Sequence, residues 1–85
     1  MKFVFTELSW EDYLHWQKND KQKVKRINEL LKDFSRHPYE GIGKPEPLRF
    51  KYAGFWSRRI DEEHRLNYRI EDDEIQIFKC RYHYD

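Results

Sequence analysis

The chain has 85 residues, a length that predicts one domain, residues 1–85, with a single small core. Charged residues make up 39% of it, but 17 basic and 16 acidic residues nearly cancel, so net charge identifies no class of partner. An aromatic content of 18% argues against disorder. The single cysteine excludes an internal disulfide and a cysteine-based zinc site. With no apolar run of roughly 20 residues and no signal-peptide pattern, we expect a cytoplasmic protein without a membrane span.

The N-terminal residues predict a short strand followed by a helix. Residues 2–5, Lys-Phe-Val-Phe, have the composition of a strand. Ser9 with Asp12 three positions later forms a capping-box pattern that predicts the start of the first helix. The side chains expected to share one side of this helix are Trp10, Tyr13, Leu14 and Gln17, and the aromatic residues expected in the core are Trp10, Tyr13, Trp16, Trp56 and Tyr68.

A second helix is predicted directly after the first. Asn19-Asp20 can end the first helix and cap the next. The apolar residues that recur at helical spacing after this point are Val24, Ile27, Leu30, Leu31 and Phe34. Charged residues lie on the opposite side of the predicted helix. Residues 35–47 contain too many prolines and glycines for regular structure and predict a loop.

The second half of the chain predicts a β-meander, with strands at 48–52, 55–60, 65–70 and 75–83. The turns between them are expected at 53–54, 61–63 and 72–73. The acidic run 71–74 fits a hairpin turn better than a metal site. We therefore predict an α+β fold, in which two helices pack on one face of a mainly antiparallel sheet.

Strand alternation predicts which polar side chains share the face that the helices leave uncovered. Successive strand residues point to opposite faces, so an apolar face at 66, 68 and 70 directs Arg65 to the other side. The same argument assigns Arg59, Arg81 and His83 to that side. Three residues do not fit: Arg58 falls on the apolar side, and Ile75 and Ile77 fall on the polar side. A bulge or a partly covered second face would explain them, and Arg58 is expected to pair with the acidic turns.

Glu46, Arg59, Arg65 and His83 have the chemistry needed to cleave RNA through its own 2′-hydroxyl. Such a reaction needs a base for the hydroxyl proton, an acid for the departing 5′-oxygen, and fixed positive charge against the transition state. Glu46 is the one acid among five basic residues between positions 44 and 60. That concentration is typical of an anion-binding face, although solvated surface charge explains it equally well.

Five motifs occur in order along the chain: Ser-Trp-Glu-Asp-Tyr-Leu-x-Trp-Gln (9–17), Gly-x-Gly-Lys-Pro-Glu-Pro-Leu (41–48), Gly-Phe-Trp-Ser-Arg-Arg-Ile (54–60), Glu-Glu-His-Arg-Leu-x-Tyr (62–68) and Cys-Arg-Tyr-His-Tyr (80–84). Together they resemble the YoeB family of RelE-type toxins from type II toxin–antitoxin systems. The resemblance covers nearly the whole chain and implies a RelE-like, microbial-RNase-type fold. It also implies a ribosome-associated mRNA endonuclease that uses no metal or other cofactor.

The resemblance implies a role for each site residue. Glu46 matches the family's general base, His83 its general acid, and Arg65 and Arg59 its phosphate-binding and transition-state-stabilising arginines. The residues assigned to substrate binding are Arg49, Tyr84, Lys44, Phe55 and Arg81. Arg49 stands where the family often has lysine, and its planar guanidinium can bind phosphate through two hydrogen bonds. The implied partners are a YefM-type antitoxin, the ribosome and mRNA, and a homodimer is an open alternative.

Two other functions remain open from the sequence. The first is a non-catalytic RelE- or ParE-like toxin that inhibits its target by binding. The presence of both Glu46 and His83 argues against this alternative. The second is a simple nucleic-acid-binding module, for which the basic helix at 21–26 would suffice. That alternative does not explain a carboxylate inside the basic loop.

Overall fold

The structure, a computed structural model, describes residues 1–82. Within these residues there are two helices and five strands. In order they are β1 (Lys2–Phe5), α1 (Glu7–Asn19), α2 (Lys21–Arg36), β2 (Glu46–Pro47), β3 (Trp56–Arg59), β4 (Arg65–Glu71) and β5 (Glu74–Lys79). None of the helices in this part of the chain is long and apolar enough to cross a membrane.

The five strands form one mixed sheet in the order β1-β5-β4-β3-β2. β2, β3, β4 and β5 pair antiparallel with their neighbours as a meander. The last of these strands, β5, also pairs parallel with β1 at the edge of the sheet. Both helices pack on one side of this sheet, so the predicted α+β fold is confirmed. The opposite side is the open face, defined here by Glu46, Ser57, Arg59, Arg65 and Asn67.

The core lies between α2 and the central strands. Side chains that are at most 6% exposed come from both layers: Trp16, Ile27, Leu30, Phe34, Ile60, Leu66, Tyr68, Ile75, Ile77 and Cys80. The helical spacing predicted for α2 is confirmed, since its three buried positions are Ile27, Leu30 and Phe34. Each large apolar side chain buried in this way contributes about 1.5–3 kcal/mol to folding.

The start of α1 differs from the prediction. Thr6 is the N-cap, and its Oγ1 accepts a hydrogen bond from the Ser9 N–H at 3.1 Å. Ser9 and Asp12, predicted as the capping box, are instead buried against the end of β5. Ser9 Oγ donates to the Ile77 carbonyl at 2.7 Å, and Asp12 accepts from the Cys80 N–H at 3.0 Å.

These polar contacts also determine which side of α1 faces the sheet. Because Ser9, Asp12 and Trp16 face the sheet, Trp10 and Leu14 are rotated outward and remain 47% and 43% exposed. The prediction that Trp10 belongs to the core was therefore wrong, and the side of the helix that Trp10 and Leu14 share is not the buried one. Apolar periodicity missed the buried side because two of its three residues are polar.

The first predicted strand of the meander, 48–52, does not form. In its place Phe50–Tyr52 is a 3-10 turn with Arg49 as its N-cap, after the two-residue strand β2. The Leu48 N–H donates to the Phe55 carbonyl at 2.9 Å, which closes the loop, and Phe50 has a φ of +58°. A residue in this left-handed conformation cannot continue an extended strand.

A bulge in β5 explains the two isoleucines that did not fit strand alternation. Asn67 pairs with Lys79, but Tyr68 pairs with Ile77, so Phe78 is the extra residue. The bulge reverses the alternation, which leaves Ile75 and Ile77 fully buried in the core and turns Phe78 toward the open face. Regular strand alternation without a bulge would have placed Phe78 on the core side instead.

Candidate functional site

Glu46, Arg59 and Arg65 lie on the same face of the sheet. Glu46 of β2 is paired with Ser57 of β3, and Arg59 of β3 is paired with Arg65 of β4. Directly paired residues of antiparallel strands point to the same side, and residues two apart on one strand do so as well. The register therefore brings the carboxylate and both arginines together on the open face. Strand alternation predicted this for the two arginines, whereas Glu46 was expected in the loop 35–47 and lies in a strand instead.

The Arg59–Arg65 pair is an unfavourable arrangement without an anion. Side chains of directly opposed residues begin about 4.5–5.5 Å apart, and like charges at that position destabilise a sheet. Arg59 is exposed, whereas Arg65 is 6% exposed. A phosphate between them would neutralise the repulsion with charge-assisted hydrogen bonds.

Arg65 is held by the turn between β3 and β4. Its Nη1 donates to the carbonyls of Asp61 at 2.7 Å, Glu62 at 3.1 Å and His64 at 3.1 Å. The turn is itself fixed by Asp61, whose Oδ1 accepts the N–H groups of Glu63 and His64 and whose Oδ2 lies 2.9 Å from Lys23 Nζ. Burial raises the pKa of Asp61, but the hydrogen bonds from Lys23 and the two N–H groups outweigh it, so the pKa lies below 3.8.

The floor of the open face contains two buried polar atoms without partners in the described part of the chain. They are Ser57 Oγ and Asn67 Oδ1. The two residues are directly paired, in line with Glu46, and are 1% and 5% exposed. Buried polar atoms normally find hydrogen-bond partners, so an orphaned pair beside a carboxylate and two arginines is typical of a ligand site.

Arg58, on the core side of β3, anchors the loop that carries Glu46. It is fully buried, and its Nη1 lies 2.6 Å from Asp33 Oδ2 of α2. Its guanidinium also donates to the carbonyls of three loop residues, His37, Glu40 and Ile42. The expectation that Arg58 pairs with the acidic turns was wrong, because a fully buried guanidinium needs a partner inside the fold and Asp33 is that partner.

The same anchor changes the titration of Asp33. Burial raises the pKa of this carboxyl group, but hydrogen bonds from Arg58 and from the Ile42 N–H outweigh it, so the pKa lies below 3.8. Further along the loop, Gly43 has a φ of +83°, and a Cβ there would lie 2.8 Å from Leu30 Cδ2. The loop is therefore packed against α2 and β3 just before it reaches Glu46.

The residues assigned to substrate binding are placed differently from one another. Lys44 is exposed in the loop before Glu46, with a φ of +50°. Arg49 is exposed and lines a cleft of about 730 Å³ together with Glu46. Phe55 is half-buried, stacked on Phe78 at 4.5 Å between ring centroids. The Arg81 guanidinium lies 5.8 Å from the Trp16 ring centroid of α1, beyond the end of β5, so strand alternation does not place it on the open face.

The backbone at Tyr82, just before His83, is held by His64, a residue to which the sequence pattern gave no role. His64 Nδ1 accepts the Tyr82 N–H at 2.8 Å, and the His64 ring lies 4.7 Å from that of Trp16. Arg65 N–H in turn donates to the Tyr82 carbonyl at 3.0 Å. His83 and Tyr84, the remaining predicted site residues, lie outside the described residues. In the sequence, His64 could have been found from its position beside Arg65 in the motif Glu-Glu-His-Arg-Leu-x-Tyr (62–68).

Phe50 was also missed, because it was interpreted as part of a strand. It is 91% exposed and lines the same cleft as Glu46 and Arg49.

Within residues 1–82, no group of three histidine, cysteine, aspartate or glutamate side chains is arranged to hold a metal ion.

Comparison with known proteins identifies the family. The family model described as "YoeB-like toxin of bacterial type II toxin-antitoxin system" matches residues 5–84. The chain belongs to the YoeB toxin family. Toxin YoeB of Escherichia coli K12 is 61% identical over 84 residues, covering 99% of this chain and 100% of that protein. Toxin YoeB of Synechocystis is 58% identical over 84 residues, covering 99% and 98%.

Solved structures of YoeB proteins have the same fold. A YoeB/ParE toxin from Agrobacterium tumefaciens superposes with a TM-score of 0.96 at 46% identity, covering 99% of this chain and 100% of that one. In a heterotetrameric YoeB–YefM toxin–antitoxin complex from Staphylococcus aureus, the similar chain has a TM-score of 0.92 at 49% identity, covering 99% and 98%. YafQ of E. coli, at 19% identity and a TM-score of 0.73, shares the fold alone. The resemblance stated from the motifs is therefore confirmed.

Proposed function

We propose that this member of the YoeB family is an endoribonuclease that cleaves mRNA on the ribosome and thereby inhibits translation. The observation that carries the proposal is the pairing of Arg59 with Arg65 on the same face as Glu46. Two opposed guanidiniums and a nearby carboxylate suit a phosphodiester next to a ribose hydroxyl. The orphaned Ser57 Oγ and Asn67 Oδ1 between them offer hydrogen bonds to the same ligand.

In this mechanism the Glu46 carboxylate removes the 2′-hydroxyl proton as the 2′-oxygen forms a bond to phosphorus. The bond from phosphorus to the 5′-oxygen breaks, and His83 donates the proton that this leaving oxygen needs. Arg59 and Arg65 stabilise the additional negative charge on the phosphate in the transition state. The products are a 2′,3′-cyclic phosphate, which can open to a 3′-phosphate, and a 5′-hydroxyl. Because the arginines supply the positive charge, the chemical step needs no metal ion.

A YefM-type antitoxin is the partner that inhibits this chain in the proposal. A YefM antitoxin is bound to the S. aureus relative. The concentrated positive charge of Arg59 and Arg65 suits an acidic segment that folds on binding and places a carboxylate where the phosphate would lie. Another S. aureus YoeB structure is a dimer, and a homodimer of this chain is included in the proposal.

Chemical analysis of the cut ends tests the proposed reaction. Purified ribosomes carrying a defined mRNA are mixed with the toxin, and the fragments are analysed at both ends. A 5′-hydroxyl with a 2′,3′-cyclic phosphate is expected. A 5′-phosphate with a free 3′-hydroxyl would contradict attack by the 2′-hydroxyl. Ribosomes require magnesium, so end chemistry is a better test of metal dependence than chelation.

The main alternative is a toxin that acts by binding without cleavage. It predicts that Glu46→Gln remains toxic, because the substitution removes the base but keeps the size of the side chain. The basic-helix alternative is less favoured, because Lys23, in the middle of the basic helix at 21–26, is bound to Asp61 at 2.9 Å. Toxicity of Glu46→Gln without any RNA cleavage would support the binding alternative.

A further inference from the structure

Phe50 is an aromatic residue that contributes little to the folded core. It is 91% exposed, the highest value among the large hydrophobic side chains of the described residues. Leaving a phenylalanine in water forgoes the roughly 1.5–3 kcal/mol that burial would contribute. A single exposed apolar residue is ordinary, so exposure alone does not assign it a function.

The backbone of Phe50 supplies a second observation. Its φ of +58° lies in the left-handed region, which is uncommon for a bulky non-glycine residue. Hydrogen bonds from the Tyr52 N–H to the Arg49 carbonyl and from the Ala53 N–H to the Phe50 carbonyl hold the turn in this conformation. The turn therefore fixes the backbone position from which the Phe50 side chain extends.

The position of Phe50 connects it to the proposed reaction. Its side chain lines the cleft of about 730 Å³ that also contains Glu46 and the basic residue Arg49. The cleft therefore combines the proposed base, a guanidinium suited to phosphate and an aromatic surface. Unpaired nucleobases stack on exposed aromatic rings, while the phosphate between two nucleotides binds nearby basic residues.

Phe55, an aromatic residue that the sequence assigned to substrate binding, is less available than Phe50 for stacking on a base. Phe78 stacks on its ring at 4.5 Å, and the Arg69 guanidinium lies 5.5 Å from the Phe55 centroid. Phe55 thus already has aromatic and cationic neighbours, whereas Phe50 projects into the cleft.

We propose that Phe50 is a substrate-positioning residue whose ring stacks on one unpaired base of the RNA, beside the scissile phosphate. The inference rests on the proposed nuclease function and adds the site that holds the base. Because every base has a face that can stack, Phe50 contributes to the alignment of the phosphate with Glu46 and adds little sequence preference.

A comparison of four proteins tests the role of the ring: the wild type, Phe50→Tyr, Phe50→Leu and Phe50→Ala. The substrate is a short mRNA in the decoding site of purified ribosomes, under single-turnover conditions. We expect Phe50→Tyr to remain within about threefold of the wild type. Phe50→Leu and Phe50→Ala should lose about 5- to 150-fold in the second-order cleavage rate, the range that stacking of one base gives. Trp10→Ala is the matched control, since Trp10 is a half-exposed aromatic residue on α1.

Abasic substrates separate stacking from a structural effect. An abasic site is placed in turn at each nucleotide flanking the cut. At one position the wild type should lose its advantage over Phe50→Ala, while the two proteins still differ on the other substrates. If Phe50→Ala is slower than the wild type by the same factor on every abasic substrate, the inference is overturned. The substitution would then lower the rate without needing a base at any position.

The proposed function and the stacking inference can fail separately. If the wild type cuts RNA with the expected ends but Phe50→Ala is equally fast, the inference fails and the nuclease function stands. If the wild type cuts nothing, the nuclease function fails. In that case, fluorescence anisotropy with a labelled single-stranded RNA still tests the stacking inference. Weaker RNA binding by Phe50→Ala than by the wild type would support stacking. Equal RNA binding by the two proteins would overturn it.

Discussion

The Nδ1 atom of His64 accepts a hydrogen bond from the backbone N–H of Tyr82 at 2.8 Å. An imidazolium has no acceptor nitrogen, so this bond requires the neutral ring with its proton on Nε2. The ring is packed edge-on against Trp16, at 4.7 Å between centroids. His64 therefore fixes the backbone at the residue from which the chain continues to His83.

Substitution of His64 should lower activity through position. We expect His64→Ala to reduce the single-turnover cleavage rate by about 10- to 100-fold, since small displacements of catalytic groups have effects of that size. His64→Asn should recover most of the rate, because its Oδ1 can occupy the place of Nδ1 and accept the same N–H. Equal activity of His64→Ala and the wild type, with both folded by circular dichroism, would show that this contact does not position the acid.

Three of the four proposed catalytic groups, Glu46, Arg65 and His83, should each be indispensable to toxicity. General acid–base residues typically contribute about 10²–10⁴-fold, so Glu46→Gln and His83→Ala should both abolish growth inhibition. Arg65→Lys keeps the charge, but it replaces the guanidinium whose Nη1 reaches three carbonyls, and we expect a similar loss. Cleavage assays with purified protein check the result, and wild-type rates in all three variants would refute the assigned site.

Arg58 and Arg59 are neighbours in sequence, but their substitutions should affect different properties. Replacing Arg58 should lower stability, whereas replacing Arg59 should lower activity. Truncating one partner of a buried ion pair typically costs about 3–5 kcal/mol, so Arg58→Ala should lower the free energy of unfolding by that amount. Arg59→Ala removes an exposed charge opposite Arg65 and should change stability by less than about 0.5 kcal/mol while abolishing cleavage. Urea unfolding of both variants gives the comparison. A stable Arg58→Ala variant would contradict the anchoring of the loop.

The Asp33–Arg58 pair should make stability depend on acid pH. The pKa of Asp33 in the folded state lies below 3.8, so the stability that its charge contributes is present above that pH. This contribution is lost as pH falls through the lower folded-state pKa. We therefore expect wild type to exceed Asp33→Asn in free energy of unfolding by about 1–3 kcal/mol at pH 7. The difference should shrink below about pH 3.8. A difference that stays constant across this range would exclude the ionised pair as its source.

Cys80 should be unreactive in the folded protein. Its thiol is fully buried, and burial together with the charge of Asp12 raises its pKa from 9.0 to about 12. The thiolate is the reactive form, so at pH 8 its fraction is about 10³-fold smaller than for an ordinary thiol. Labelling with a chromogenic disulfide should be negligible until urea unfolds the chain. A Cys80→Ala, Ala53→Cys variant, with its thiol in an exposed turn, is the control and should label at once.

The sequence by itself determined the family, the α+β class and the placement of Arg59 and Arg65 on one sheet face. These features depend on local patterns: period-two alternation in β3 and β4, helical spacing in α2, and five motifs that span most of the chain. Each pattern involves residues close together in sequence, so one chain is enough to read them.

Only the tertiary structure decided which side of α1 is buried and where β5 changes its alternation. Ser9 and Asp12 face the sheet because their side chains satisfy backbone groups of Ile77 and Cys80, about 68 residues away. The bulge at Phe78 depends on the pairing of β5 with β4. Such contacts join distant parts of the chain, and no local spacing encodes them.

The tertiary structure likewise decided how the candidate site is supported. Arg58 reaches Asp33 and the loop carbonyls across the core, and the left-handed turn at Phe50 replaces a strand that the composition favoured. A buried guanidinium must find partners wherever the fold offers them, since the cost of leaving it unpaired exceeds most local preferences. The sequence therefore contained the reactive groups, while long-range packing determined how rigidly they are held.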